Sequence, residues 1–196
     1  MKKRKYLLAA IALLLVFGIG STIAYLTDTA TKTNTFTIGG VDIDLIETAW
    51  DSGYKENPTA LVPGAEVTKD PVIKNTGDTP AYVFIKVVEP CVNSKKAFTY
   101  TPNSAWNVVT AGTCSGDTAA ETVYSYGTMT SLAANASTPA LFDNNKVTLN
   151  TQLTNTDIAN LRARNATTHQ VDMVLTGYGI QTEGVTGTPA EIFGNF

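Results

Sequence analysis

The chain holds one histidine, His169, and two cysteines, Cys91 and Cys114, so few kinds of chemistry are open to it. A His–Glu–x–x–His zinc site needs two imidazoles one helical turn apart, and a single histidine cannot supply them. A zinc centre would then rest on carboxylates, a sparse donor set for that metal. No Gly–x–Ser–x–Gly elbow offers a serine nucleophile. No Gly–x–Gly–x–x–Gly or Gly–x–x–x–x–Gly–Lys phosphate loop occurs, and Gly177–Tyr178–Gly179 lacks the helix start that gives such glycines their use. Asp42 and Asp44 could begin an acid–base or metal pair, but they alternate with Val41, Ile43 and Leu45 as the wet face of a strand would. His169 is then a surface or strand-end residue. Trp50, Trp106, Tyr124 and Tyr126 are candidates for a carbohydrate platform, in competition with places in a core or an interface. The sequence therefore assigns no catalytic, cofactor-binding or metal-ligating residue and implies no cofactor.

What must position these residues is a chain of 196 residues, 43% hydrophobic and 16% charged, a composition that builds one packed domain rather than a disordered coil. Two cysteines cannot staple a disulfide scaffold of this length. The net charge of −3 divides unevenly. Lys2, Lys3, Arg4 and Lys5 give +4 before any acid appears, and the chain beyond Ala24 carries 17 acids against 10 bases, or −7. Such a domain repels nucleic acid. Threonine, 31 residues by count, is β-branched and favours pleated surfaces, and 15 Gly and 8 Pro punctuate the chain. The expected class is all-β.

Residues 1–24 have the order of a secretory signal peptide: a basic start, the apolar run Tyr6–Ile19, then Gly20–Ser21–Thr22–Ile23–Ala24. Cleavage falls between Ala24 and Tyr25. The alternative is an uncleaved anchor, since Tyr6 to Leu26 nearly spans a bilayer and the basic residues hold its start in the cytoplasm. Both place the rest of the chain outside the membrane, which is touched only through the signal. Export permits Cys91 and Cys114, which enclose 22 residues, to be oxidised to a disulfide. Two buried free thiols are the alternative.

Residues 25–38 form a Thr-rich polar arm suited to an edge strand, and 39–196 the main domain. Val41–Leu45 alternates as a strand. Trp50–Pro63 is expected as a loop, and Pro63–Gly64 as a type II turn. Val67–Lys74 is a strand that tolerates Pro71 only at an edge or bulge. Ala81–Glu89, apolar on both faces, is a central strand covered on both sides. Short strands are expected at Ala105–Thr110, Thr122–Tyr126, Ala140–Phe142 and Val147–Leu153. Thr156–Ala163 is the one helix, capped by Thr154 or Thr156. Gln170–Thr182 closes the domain, its two glycines marking a bulge or a close backbone approach. Seven or eight strands and one short helix imply a jelly-roll-like antiparallel β-sandwich.

The order Ile23–Ala24–Tyr25–Leu26–Thr27–Asp28, Asn34–Thr35–Phe36–Thr37–Ile38–Gly39, Val41–Asp42–Ile43–Asp44–Leu45, Leu61–Val62–Pro63–Gly64, Asn75–Thr76–Gly77 and Leu175–Thr176–Gly177–Tyr178–Gly179–Ile180–Gln181 resembles the TasA/camelysin (CalY) family. The match covers both ends and the first third; residues 91–165 agree only in length. The resemblance implies a secreted jelly-roll subunit of biofilm-matrix or cell-surface fibres of Gram-positive bacteria. It also implies processing by a SipW-type signal peptidase and head-to-tail assembly by donor-strand exchange. On this sequence the donor would be the arm, with anchors at Leu26, Phe36 and Ile38, and the partner a second copy. Camelysin relatives have been described as metallopeptidases, which makes metalloendopeptidase activity an alternative expectation, although no zinc ligand set matches here. A monomeric adhesin is the third.

Overall fold

The computed structural model describes residues 40–55 and 60–196. The signal segment, the Ala24–Tyr25 junction and the arm with Leu26, Phe36 and Ile38 lie outside the described residues.

The chain after Gly40 is an antiparallel all-β sandwich with a few short helices. One sheet orders its strands β11–β4–β9–β8, namely Val174–Gln181, Ala81–Glu89, Ala120–Tyr126 and Trp106–Thr110. The opposing layer is built on one long, interrupted strand. Its first part, β2 (Glu66–Thr68), pairs with β10 (Lys146–Leu149), which pairs in turn with β7 (Phe98–Thr99). Its second part, β3 (Val72–Asn75), pairs with β1 (Ile43–Ile46). A hairpin of β5 (Cys91–Val92) and β6 (Lys95–Lys96) pairs with neither sheet, although Val92 is buried in the shared core. The single strand expected over Val67–Lys74 is thus split at Pro71, whose carbonyl still accepts the N–H of Leu141 on the β10 side. Pro71 is tolerated because the ladder asks only its carbonyl, and never its missing N–H, for a bond there.

The core collects the inward residues of both layers: Val67 and Ile73 from one, Val83, Ile85 and Val87 from the other, closed by Leu141, Phe142 and Val147. β4 is buried on both faces, as its doubly apolar pattern requires. Its outer side places Phe84 at 0% exposure against Val123 and Ile192. The cover is a short C-terminal helix, α3 (Pro189–Phe193), which the sequence reading did not anticipate. It carries its own start signals, Pro189 in the first turn and a Thr188–Glu191 capping box. Phe193 and Phe196 pack 5.6 and 6.1 Å from Phe84.

The expected helix appears as α2 (Asn155–Ala163), with Thr154 as its N-cap and Asp157 returning the bond. A further one-turn helix, α1 (Thr48–Ser52), begins just before the stretch expected to be loop. Val62–Ala65 forms the expected tight turn: the Ala65 N–H reaches the Val62 carbonyl at 2.9 Å and Gly64 holds φ 89°. Ala140–Phe142 is not a strand; Phe142 contributes one isolated bridge to Pro102. The closing strand starts at Val174 rather than Gln170. It carries no bulge, since its register with β4 runs unbroken from Val174↔Val88 to Gln181↔Ala81. Its glycines serve the other expected purpose, close approach. A Cβ on Gly179 would stand 2.9 Å from Ile43 Cγ2 and 3.2 Å from Val41 Cγ1, because β1 packs across it.

Cys91 and Cys114 are joined by a disulfide, with Cα atoms 5.7 Å apart, tying the β5–β6 hairpin to the loop before β9. Arg164, at the end of α2, donates to the Cys91 carbonyl and lies 3.4 Å from Asp117.

Gly179→Val is expected to cost about 1–3 kcal/mol through overpacking against β1. Gly177→Ala, whose Cβ would meet nothing nearer than 3.5 Å, is expected to stay within about 1 kcal/mol of the parent. Urea midpoints of the two variants check this.

Candidate functional site

The residues that could do chemistry are not gathered. Asp42, just before β1, and Asp44 within it are both exposed. His169 is exposed at φ 55°, its N–H held by the Asn165 carbonyl at 2.7 Å. Among the described residues no group of three His, Cys, Asp or Glu side chains could hold a metal ion. The four aromatic candidates do not form a platform. Trp106 and Tyr124 are each 4% exposed in the core, Tyr126 packs edge-on against Trp106, and Trp50 belongs to a different place.

That place is a groove of about 890 Å³. Its origin can be followed along the backbone. In the long strand β2–β3, the N–H of Lys69 reaches Asn145, the Ala65 carbonyl accepts from Leu149, the N–H of Asn75 reaches Ala136 and the Ile73 carbonyl accepts from Thr138. The odd-numbered residues therefore face β10 and the segment before it. By alternation the even-numbered residues face the opposite edge. Opposite β3 that edge is filled by β1, in the register Ile46↔Val72, Asp44↔Lys74. After Ile46 the chain leaves the sheet and turns into α1. The N–H and C=O groups of Glu66 and Thr68 are left facing a vacant strand position, without partners among the described residues.

Three side-chain interactions hold the diversion. Asp70 accepts hydrogen bonds from the N–H groups of Ala49 and Trp50 at 2.9–3.1 Å, capping α1 from the neighbouring strand. Lys69 occupies an inward position with 5% exposure, its ammonium 2.9 and 3.1 Å from the two Glu47 oxygens. The same ammonium stands 4.3 Å from the centre of the Trp50 ring, a cation–π contact. Trp50 stacks on Tyr54 at 5.2 Å. The two aromatics form the rim of the groove together with Leu61, while Val67, Phe98, Val147 and Leu149 form its floor. Ile158 and Leu161 of α2, and Val171 and Met173 ahead of β11, form the walls. An open backbone edge beside an apolar slot is the arrangement that accepts an added β-strand: the edge supplies hydrogen bonds, and the slot takes alternate side chains.

The sequence reading did not find this groove. Its signals were present in the Trp50–Tyr54 spacing, in the loss of alternation after Leu45, and in Lys69 at an inward strand position, but each has an ordinary explanation until the register is known.

A second polar cluster lies inside the domain. Glu89, 0% exposed, accepts from Lys96 Nζ at 2.5 Å and Tyr100 Oη at 3.1 Å, and Tyr124 donates to Tyr100 at 3.3 Å. Its Oε1 is buried without a hydrogen-bond partner among the described residues. Burial raises the carboxyl above the ordinary glutamate value, against the opposing pull of Lys96 and Tyr100. Burial and the nearby Glu89 charge push the Tyr100 phenol far above its usual range. Asp157 moves the other way, lowered by its bonds from Lys95, Thr154 and Asn93. These groups tie the β5–β6 hairpin and α2 to the sandwich.

Compared with known proteins, the chain matches no family model, no curated protein and no solved structure.

A raised folded-state pKa means that the folded domain binds the Glu89 proton more tightly than the unfolded chain does. The associated stability is present below the ordinary glutamate pKa and is lost as pH rises through the folded value. Glu89→Gln removes this slope. Thermal melts from about pH 4 upward should show the parent losing stability relative to Glu89→Gln as pH rises, and parallel curves would contradict it.

Proposed function

We propose that this protein is an exported structural subunit that polymerises by strand addition, the arm Tyr25–Ile38 of one copy entering the groove beside β2 of the next. The observation that carries the reading is an open edge next to a groove: the backbone groups of Glu66 and Thr68 have no partner among the described residues, and Val67 and Lys69 of the same segment line the apolar slot. A strand added there closes two open backbone positions and buries apolar side chains at about 25 cal/mol per Å². Because donor and acceptor are different parts of the chain, the contact is heterologous and does not close on itself, so it propagates as a filament.

The sequence resemblance to TasA/camelysin proteins supports the same reading, as does the basic, then apolar, then small-residue order of residues 1–24. Cleavage between Ala24 and Tyr25 would free the arm, so a SipW-type peptidase would gate assembly as well as export. Secretion to a matrix or cell surface follows from that order of events.

Electron microscopy tests the reading on protein beginning at Tyr25, beside protein lacking Tyr25–Ile38. Filaments are expected only from the first. Leu61→Arg, at the groove rim and outside the buried core, is expected to suppress filaments while leaving the melting temperature within about 2–4 °C of the parent. Filaments from the truncated protein, or from Leu61→Arg at the parental level, would contradict it. A monomer that binds glycans would favour the adhesin reading instead.

A further inference from the structure

The arm has a pattern that the groove gives a meaning. Threonine occupies every odd position from 27 to 37: Thr27, Thr29, Thr31, Thr33, Thr35 and Thr37. Every apolar residue from 26 to 38 falls on an even position: Leu26, Ala30, Phe36 and Ile38. In an extended strand odd and even residues project to opposite faces. Were the stretch extended, one side would be a continuous row of threonines and the other would carry all its apolar residues.

We propose that the acceptor groove selects the even-numbered face of a second copy's arm, and that the threonine row is the face left to solvent. The proposal rests on the strand-addition reading above and specifies its recognition chemistry. The groove floor of Val67, Phe98, Val147 and Leu149 is apolar, so it discriminates strongly against the polar face. Burying a threonine hydroxyl without a hydrogen bond costs free energy, whereas burying leucine, phenylalanine or isoleucine yields it. The two charged residues of the even face, Asp28 and Lys32, have counterparts in the groove lining. Arg162 and Asp172 are both exposed there, and neither is in an ion pair among the described residues. The threonine row has the opposite merit, because β-branched residues favour an extended backbone while remaining soluble on the outer face.

Parity makes the proposal sharply testable, because a one-residue slip transfers every side chain to the other face. Protein beginning at Tyr25 is compared with a deletion of Thr33 alone and a deletion of Thr33 with Asn34. Deleting one residue places Leu26 and Ala30 on the face opposite to Phe36 and Ile38; deleting two restores the common face in a shorter arm. The single deletion is expected to raise the critical concentration for filaments by about tenfold or more, and the double deletion to recover most of it. Phe36→Glu should likewise act about tenfold more strongly than Thr35→Glu. Sedimentation of filament mass reads all four variants, and thermal melts verify that each domain is folded. Filaments that respond equally to both deletions, or more to Thr35→Glu than to Phe36→Glu, would overturn the face assignment while leaving strand addition in place. If the parent protein forms no filaments at all, the strand-addition reading falls and takes this inference with it.

Discussion

The carboxylate of Asp70, bonded to the N–H groups of Ala49 and Trp50, decides what becomes of the edge of the long strand β2–β3. A sheet edge is a row of obligatory donors and acceptors, and each must be paired, hydrated or covered. Along β3 the requirement is met by β1. Beyond Ile46 the chain could have continued in register alongside β2. Asp70 instead satisfies the first N–H groups of a helical turn, and Lys69 fixes that turn from below through Glu47 and Trp50. The outcome is a sandwich in which, among the described residues, no strand pairs with the outer edge of β2.

The rest of the fold is arranged around that opening without closing it. β4, a central strand of the opposing sheet, is buried on both faces, inwardly by the main core and outwardly by α3. The disulfide and the Arg164 contacts tie α2 to the β5–β6 hairpin and to the loop before β9, which fixes one wall of the groove. Asp157 anchors the beginning of the same helix through Lys95, Asn93 and Thr154. Rigid walls matter for an acceptor, because a slot that is already formed spends less of its binding free energy on ordering itself.

Much of the architecture was legible in the sequence because it rests on local pattern. The alternation of Val41, Ile43 and Leu45, the doubly apolar run of β4, the Pro63–Gly64 turn and the Thr154 cap each follow from a few neighbouring residues. What was not legible depends on partners distant in the chain. Pro71 can sit within the long strand only because its carbonyl, not its missing N–H, is what Leu141 pairs with. The helix at Thr48–Ser52 depends on Asp70, twenty-one residues from Ala49. Gly179 is required by β1, whose side chains cross it from the other layer. α3 was missed although its capping box is local, because its apolar residues acquire a purpose only once the outer face of β4 is known to need a cover. The candidate site was illegible for the same reason: a groove beside an unpaired strand edge has no motif, and its lining is drawn from seven separate segments.

We propose that the open edge of β2 is paired by a strand from another copy. Hydrogen exchange at the amides of Glu66 and Thr68, measured in filaments and in dispersed subunits, tests it most directly. Strong protection of both amides in filaments, with rapid exchange in subunits, is the predicted result. Exchange in filaments at the subunit rate would contradict it, because no strand could then be hydrogen-bonded to that edge.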